Sequence, residues 1–201
     1  RVCYLGGVLQ GNTTLKELDL SANKLGPESV NALVHILNTT QITSINLADN
    51  TIGDEGVLVL AEALRGNTTL KHLDLSANNL GPAGAGAIAQ MLNTTKLENI
   101  ALEGNEIGSE GLHYLAEALK TNTRVQHIFV GSQGEELPQL EAELEMNRLL
   151  GDISNNRIIQ FLPEEEINAP EDFFARLYYK LGVSSKIFPL TLYSYFIGRL
   201  D

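Results

Sequence analysis

The sequence has one cysteine, Cys3, in 201 residues, and no tryptophan. A single thiol excludes an internal disulfide framework and fits a reducing compartment. No apolar run approaches the roughly 18 residues that a membrane-spanning helix requires. No secretory pattern stands at the start, although the chain opens on Arg1 rather than Met, so a trimmed terminus would hide one. Positive charge is scarce: 14 Lys and Arg stand against 25 Asp and Glu, a net charge of −11. Without a basic stripe to displace counterions from phosphates, nucleic acid is a poor partner, while the same field favours a basic protein. Aromatics are missing from most of the chain. Only Tyr4, Tyr114 and Phe129 fall in residues 1–134; the other nine of twelve fall in 135–201, with 12 acidic and 6 basic residues. This shift predicts a boundary between 1–134 and 135–201.

What the first part has in abundance is repetition. "GNTTLKELDLSANKLGP" at 11–27 returns as "GNTTLKHLDLSANNLGP" at 66–82, and "IGDEGVLVLAEAL" at 52–64 returns as "IGSEGLHYLAEALK" at 107–120. A shorter period lies inside this one of 55 residues. The pattern L-x-x-L-x-L-x-x-N begins at Leu15, Ile42, Leu70 and Leu97, spaced 27, 28 and 27, and closes on Asn23, Asn50, Asn78 and Asn105. A fifth copy begins at Val125 and puts Gln133 in the Asn position.

Each unit has a direct physical reading. Its L-x-L core alternates with period two, which predicts a short strand. An Asn turned inward can bond the free backbone groups of a loop that has no ladder of its own. Glycine then permits a tight turn (Gly26, Gly53, Gly81, Gly108), and Pro27 and Pro82 suit a first helical position. Helices follow, with apolar stripes at Val30, Leu33, Val34, Leu37; Val57, Leu60, Ala61, Leu64; Ala85, Ile88, Ala89, Leu92; and Leu112, Leu115, Ala116, Leu119. "GNTT", "LNTT" and "TNTR" end them, with Asn expected at a left-handed C-cap. The sequons at Asn12, Asn38, Asn67 and Asn93 then recur because the turn recurs. No unit can bury its stripe alone, so the copies must stack. Strands pack about 4.8 Å apart and helices about 8–10 Å, which predicts a curve with parallel strands on its concave side.

"LKELDLSANKLGPESVNALVHIL" and its copies resemble leucine-rich repeats of the ribonuclease-inhibitor type, over residues 1 to about 134. The resemblance implies an α/β fold: a curved leucine-rich-repeat solenoid with strands on the concave face, helices on the convex face and a mainly helical C-terminal cap or module. It implies a protein-binding surface far more often than an enzyme. "VCYLGGVLQGN" (2–12) aligns with "VLVLAEALRGN" (57–67), so the array is expected to be incomplete at its N-terminus, within a longer parent protein. The near-identical copies and unfamiliar tail also resemble leucine-rich-repeat effectors of intracellular bacterial pathogens, which would place the protein in the cytoplasm of a host cell.

In this family's strand the third and fifth positions point off the concave face. The third positions are Glu17, Ser44, His72, Asn99 and His127; the fifth are Asp19, Asn46, Asp74, Ala101 and Phe129. Turn positions add Ser21, Asp49, Ser76, Glu103 and Gly104. The binding candidates are therefore Glu17, Asp19, Ser44, Asn46, His72, Asp74, Asn99, Glu103, His127 and Phe129, with Phe129 as an aromatic anchor. A flat sheet supplies no water-excluding pocket for His72 with Asp74, or His127 with Glu103, to act in acid–base catalysis. His72 and His127 stand two strands apart, roughly 10 Å, too far to share a metal. No cofactor and no small-molecule substrate is expected.

In the C-terminal part, 135–151 reads as a helix with Leu137, Leu140 and Leu144 inward. A second helix opens near Pro170 and ends at Gly182, and a final apolar segment runs from Pro189. No cysteine follows Cys3, which removes the thiol chemistry of leucine-rich-repeat ubiquitin ligases. The reading is a non-enzymatic scaffold that docks a protein, by analogy an enzyme that it inhibits or regulates. A GTPase-activating protein of the Ran type and a fragment of an innate-immune sensor are the alternatives.

Overall fold

The structure is a computed structural model, and it describes residues 2–131 together with Leu140, Leu144, Asn147 and Arg148. The order of elements is α1 (Val2–Leu9), β1 (Glu17–Asp19), a 3-10 turn (Pro27–Ser29) leading into α2 (Val30–Thr39), β2 (Ser44–Asn46), α3 (Gly53–Ala63), β3 (His72–Asp74), α4 (Pro82–Leu92), β4 (Asn99–Ala101), α5 (Gly108–Leu119) and β5 (His127–Phe129). The five strands form one parallel sheet in the order β1-β2-β3-β4-β5. Every strand pairs with its sequence neighbour, because each helix returns the chain beside the strand it left. The register is unbroken, with Glu17, Ser44, His72, Asn99 and His127 as successive partners.

Between sheet and helices lies one core, built from the middle strand residues Ile45, Leu73, Ile100 and Ile128 and the helix stripes. The stripes of α3, α4 and α5 are buried at every residue that periodicity assigns to them. In α2 the assignment needs correction: Val34 is only partly buried, and Ile36 is fully buried in its place. Ile36 packs toward Gly6 of α1, where a Cβ would stand 3.9 Å from its Cγ1. Met91, fifty-five residues further on, is buried in the same way. Leu140 and Leu144 belong to this core as well; the expected inward Leu137, and everything expected beyond Arg148, lie outside the described residues.

Three of the four asparagines turn inward as the pattern requires; Asn23, after the first strand described, is exposed and its amide donates to the Ser21 carbonyl of its own turn. Asn50, Asn78 and Asn105 are buried. Asn50 Oδ1 accepts the N–H groups of Asn23 (3.0 Å) and Leu25 (2.8 Å) on the preceding unit. Its Nδ2 donates to the carbonyls of Leu20 and Leu47. Asn105 repeats this toward Asn78 and Leu80. Loop backbone without a ladder thus finds its partners in one column of amides.

One expectation about turns is overturned. The asparagines of "GNTT" are not left-handed; Gly11 and Gly66 beside them are, each at φ 76°. Glycine bears that conformation without a Cβ clash, which leaves the asparagine side chain for bonding. Asn67 Oδ1 accepts from Thr69 and Leu70, and its amide donates to the Leu37 carbonyl one unit back. Asn122 bonds Arg124, Val125 and Leu92 in the same manner. Of the turn glycines, Gly53 and Gly108 are left-handed, whereas Gly26 and Gly81 are extended. In their units the left-handed residues are Ala22, Lys24, Ala77 and Asn79. Asp54 bonds the Gly81 N–H at 2.7 Å and so caps the start of α4 from the neighbouring unit.

Candidate protein-binding face

Each strand turns its first and third residues toward solvent, Glu17, Asp19, His72 and Phe129 exposed and the others half-buried, and buries or half-buries its second. Period-two alternation therefore puts nine of the ten candidates on one face, in two straight rows. Glu103 stands just beyond β4 in the following turn and is exposed.

The first row contains a hydrogen-bonded chain that no single strand reveals. The Asn99 amide N–H donates to His72 Nδ1 at 2.8 Å, and His127 Nδ1–H donates to Asn99 Oδ1 at 2.8 Å. In this arrangement His72 accepts through Nδ1 and His127 donates through Nδ1. The two bonds also orient both rings. The signal that finds this chain is register: residues 27 or 28 apart become neighbours.

The second row divides in two. Asp19, Asn46 and Asp74 each fold a side-chain oxygen back onto the N–H two residues ahead, at 2.9, 2.9 and 2.8 Å. This Asx geometry turns the chain out of the strand, so these three residues have a local structural duty as well as exposure. The Ser21 N–H beside Asp19 holds its carboxyl below the ordinary value. Ala101 and Phe129 hold the same position on β4 and β5 and cannot make that bond. Phe129 is 48% exposed, and its ring lies parallel to that of His127 at 5.7 Å between centroids. A shallow depression of about 210 Å³ lies over β2 to β5, with Phe129 on its wall.

The remaining exposed large apolar side chains, Tyr4, Val8, Leu58, Val59 and Tyr114, stand on the helices. Among the described residues no group of three or more His, Cys, Asp or Glu could hold a metal ion, and no helix is long and apolar enough to cross a membrane.

Comparison with known proteins agrees with this geometry. Residues 11–34, 40–61, 66–89 and 94–116 match the family described as Leucine Rich repeat. Tonsoku-like protein of Bos taurus is 40% identical over 88 residues, covering 42% of this chain and 6% of that protein. Ribonuclease inhibitor of Sus scrofa is 34% identical over 90 residues, covering 44% of this chain and 20% of the inhibitor. The chain thus spans a fifth or less of the length of these relatives. The solved structure of leiomodin-1 actin-binding site 2 superposes with a TM-score of 0.68 at 16% identity, over 78% of this chain and 92% of that one. The fold is a leucine-rich-repeat solenoid, with repeats like those of ribonuclease inhibitor.

Proposed function

We propose that this protein is a non-catalytic docking scaffold whose partner is another protein, seated on the solvent face of β1 to β5. The observation that carries the reading is the second row, where Ala101 and Phe129 replace the turn-forming Asx residues and leave an aromatic side chain half exposed. An apolar ring on a strand's solvent face, here stacked only on His127 and still half exposed, suits a contact. Acidic side chains at Glu17, Asp19, Asp74 and Glu103, in a chain of net charge −11, favour a basic partner. The likeness to ribonuclease inhibitor supports an enzyme as that partner and inhibition or regulation as the outcome. A cytoplasmic location fits the single thiol. Five strands span only about 19 Å, so a standard interface of about 800 Å² per partner would draw on residues 135–201 also. Assistance to a GTPase is the rival reading, and a GTPase assay on any partner found separates the two.

Site-specific photo-crosslinking tests the assignment of the face. A benzophenone residue at Glu17 or Ser44 should crosslink one protein that the same residue at Leu58 or Gln90 does not. Crosslinks from the helix positions alone would contradict the reading.

A further inference from the structure

The solvent face of the sheet dips to a notch at Ala101. On β4 the second row holds only the methyl group of Ala101, between Asp74 on β3 and Phe129 on β5. The depression over the sheet is lined at this point by His72, Asp74, Asn99, Ala101 and Phe129. Its polar walls are not equally available. Both ends of the Asn99 amide are engaged by His72 and His127. Asp74 gives Oδ1 to the Ser76 N–H and has no ion-pair partner among the described residues. What faces a visitor is therefore one carboxylate edge, the side of the Phe129 ring not turned to His127, the His72 ring and a methyl floor. Asp74 and Phe129 are two rungs apart, about 10 Å along the sheet. That gap accepts a planar cation bonded to the carboxylate at one end and lying within about 6 Å of the ring at the other.

We propose that the notch receives an arginine side chain of the partner. Arginine fits better than lysine because its flat guanidinium both stacks on a ring and donates in pairs to a carboxylate. The inference deepens the docking reading and rests on it, since the partner supplies the arginine. The charge of the surroundings agrees: Glu17, Asp19 and Glu103 share this face, and neither Lys nor Arg occupies either row.

The test is an NMR titration of the full chain with Nα-acetyl-arginine amide, and with the neutral citrulline amide in parallel. The arginine probe should give saturable shifts centred on Asp74, Ala101 and Phe129, and citrulline should bind at least about fivefold more weakly. Asp74→Asn keeps the bond to Ser76 while removing the charge, and should weaken the probe about threefold to fivefold. Ala101→Leu fills the notch from the solvent side and should abolish the shifts. Equal binding of citrulline, or shifts that survive Ala101→Leu, would overturn the notch. A partner that crosslinks through positions 17 and 44 while the arginine probe leaves Ala101 unmoved overturns the notch and leaves the docking face standing. Probe binding at Ala101 with a partner crosslinked only on the helices overturns the docking face instead.

Discussion

Asn78 has no exposed surface, and its side chain is given over to the backbone. Oδ1 accepts from Ile52, and Nδ2 donates to the carbonyls of Leu47 and Ser76. Replacing it with Ala leaves several buried backbone groups without partners, at roughly 1–3 kcal/mol each. Asn78→Ala should therefore destabilise the protein by about 3 kcal/mol or more, read from the urea midpoint. At the same scale Asp19 offers a titration. Its carboxyl is depressed first by the bond from the Ser21 N–H. A depressed carboxyl stabilises the fold above its unfolded value and loses that contribution as pH falls. Carbon-detected NMR should place the Asp19 midpoint below the ordinary 3.8, and a midpoint at or above it would refute the bond. The asparagine column was legible because the residue recurs with its strand. The His72–Asn99–His127 chain was not, since its bonds connect residues whose types differ from unit to unit. The Asx role of Asp19, Asn46 and Asp74 was also hidden. Exposure on a strand and a bond to one's own turn produce the same sequence pattern.

Among elements, the alternation of 27 and 28 residues reflects two ways of leaving a helix. The longer exits end on a bonding asparagine, Asn67 beside the left-handed Gly66 and Asn122 without a glycine; the shorter exit from α2 closes with Thr40, whose hydroxyl donates to the Ile36 carbonyl at 2.7 Å. Helical periodicity found four stripes but misplaced one member of α2. Period alone cannot say which neighbouring helix is narrow, and Ile36 turns inward because α1 presents Gly6. Close approach recurs at Gly111, where a Cβ would come 2.9 Å from Ala85 Cβ. At the other end of the array, Leu140 and Leu144 sit in the core and Asn147 donates to the Val125 carbonyl at 2.8 Å. Asn147 thus continues toward β5 the backbone bond that Asn122 makes toward the end of α4. Deleting residues 135–201 should uncover the last apolar surface and give aggregating protein in size-exclusion chromatography. A soluble 1–134 fragment that unfolds cooperatively would show that this segment is dispensable for the fold.

The whole molecule separates two surfaces of different construction. The sheet face carries two aligned rows with an acidic balance and one exposed ring, and the helix face carries scattered side chains, among them the surface pairs Glu62–Arg65 and Glu117–Lys120. Exposed pairs of this kind contribute little to stability, so reversing them is a mild change and a fair control. Charge on the sheet face acts at a distance, and reversal at the exposed Glu17 (Glu17→Lys) should chiefly slow association with a basic partner and reduce its dependence on salt. The repeat made the fold and the face readable from sequence, because a solenoid presents equivalent positions as neighbours. The partner was not readable, because the rows vary freely where packing makes no demand. The most direct measurement is the affinity of the full chain for the crosslinked partner, compared among three proteins by titration calorimetry. His127→Ala with Phe129→Ala should weaken binding by about 2 kcal/mol or more, roughly thirtyfold, with the melting temperature little changed. Glu62→Lys with Glu117→Lys should leave the affinity as it is. Loss of binding in the helix-face variant, with the sheet-face variant unaffected, would contradict the account.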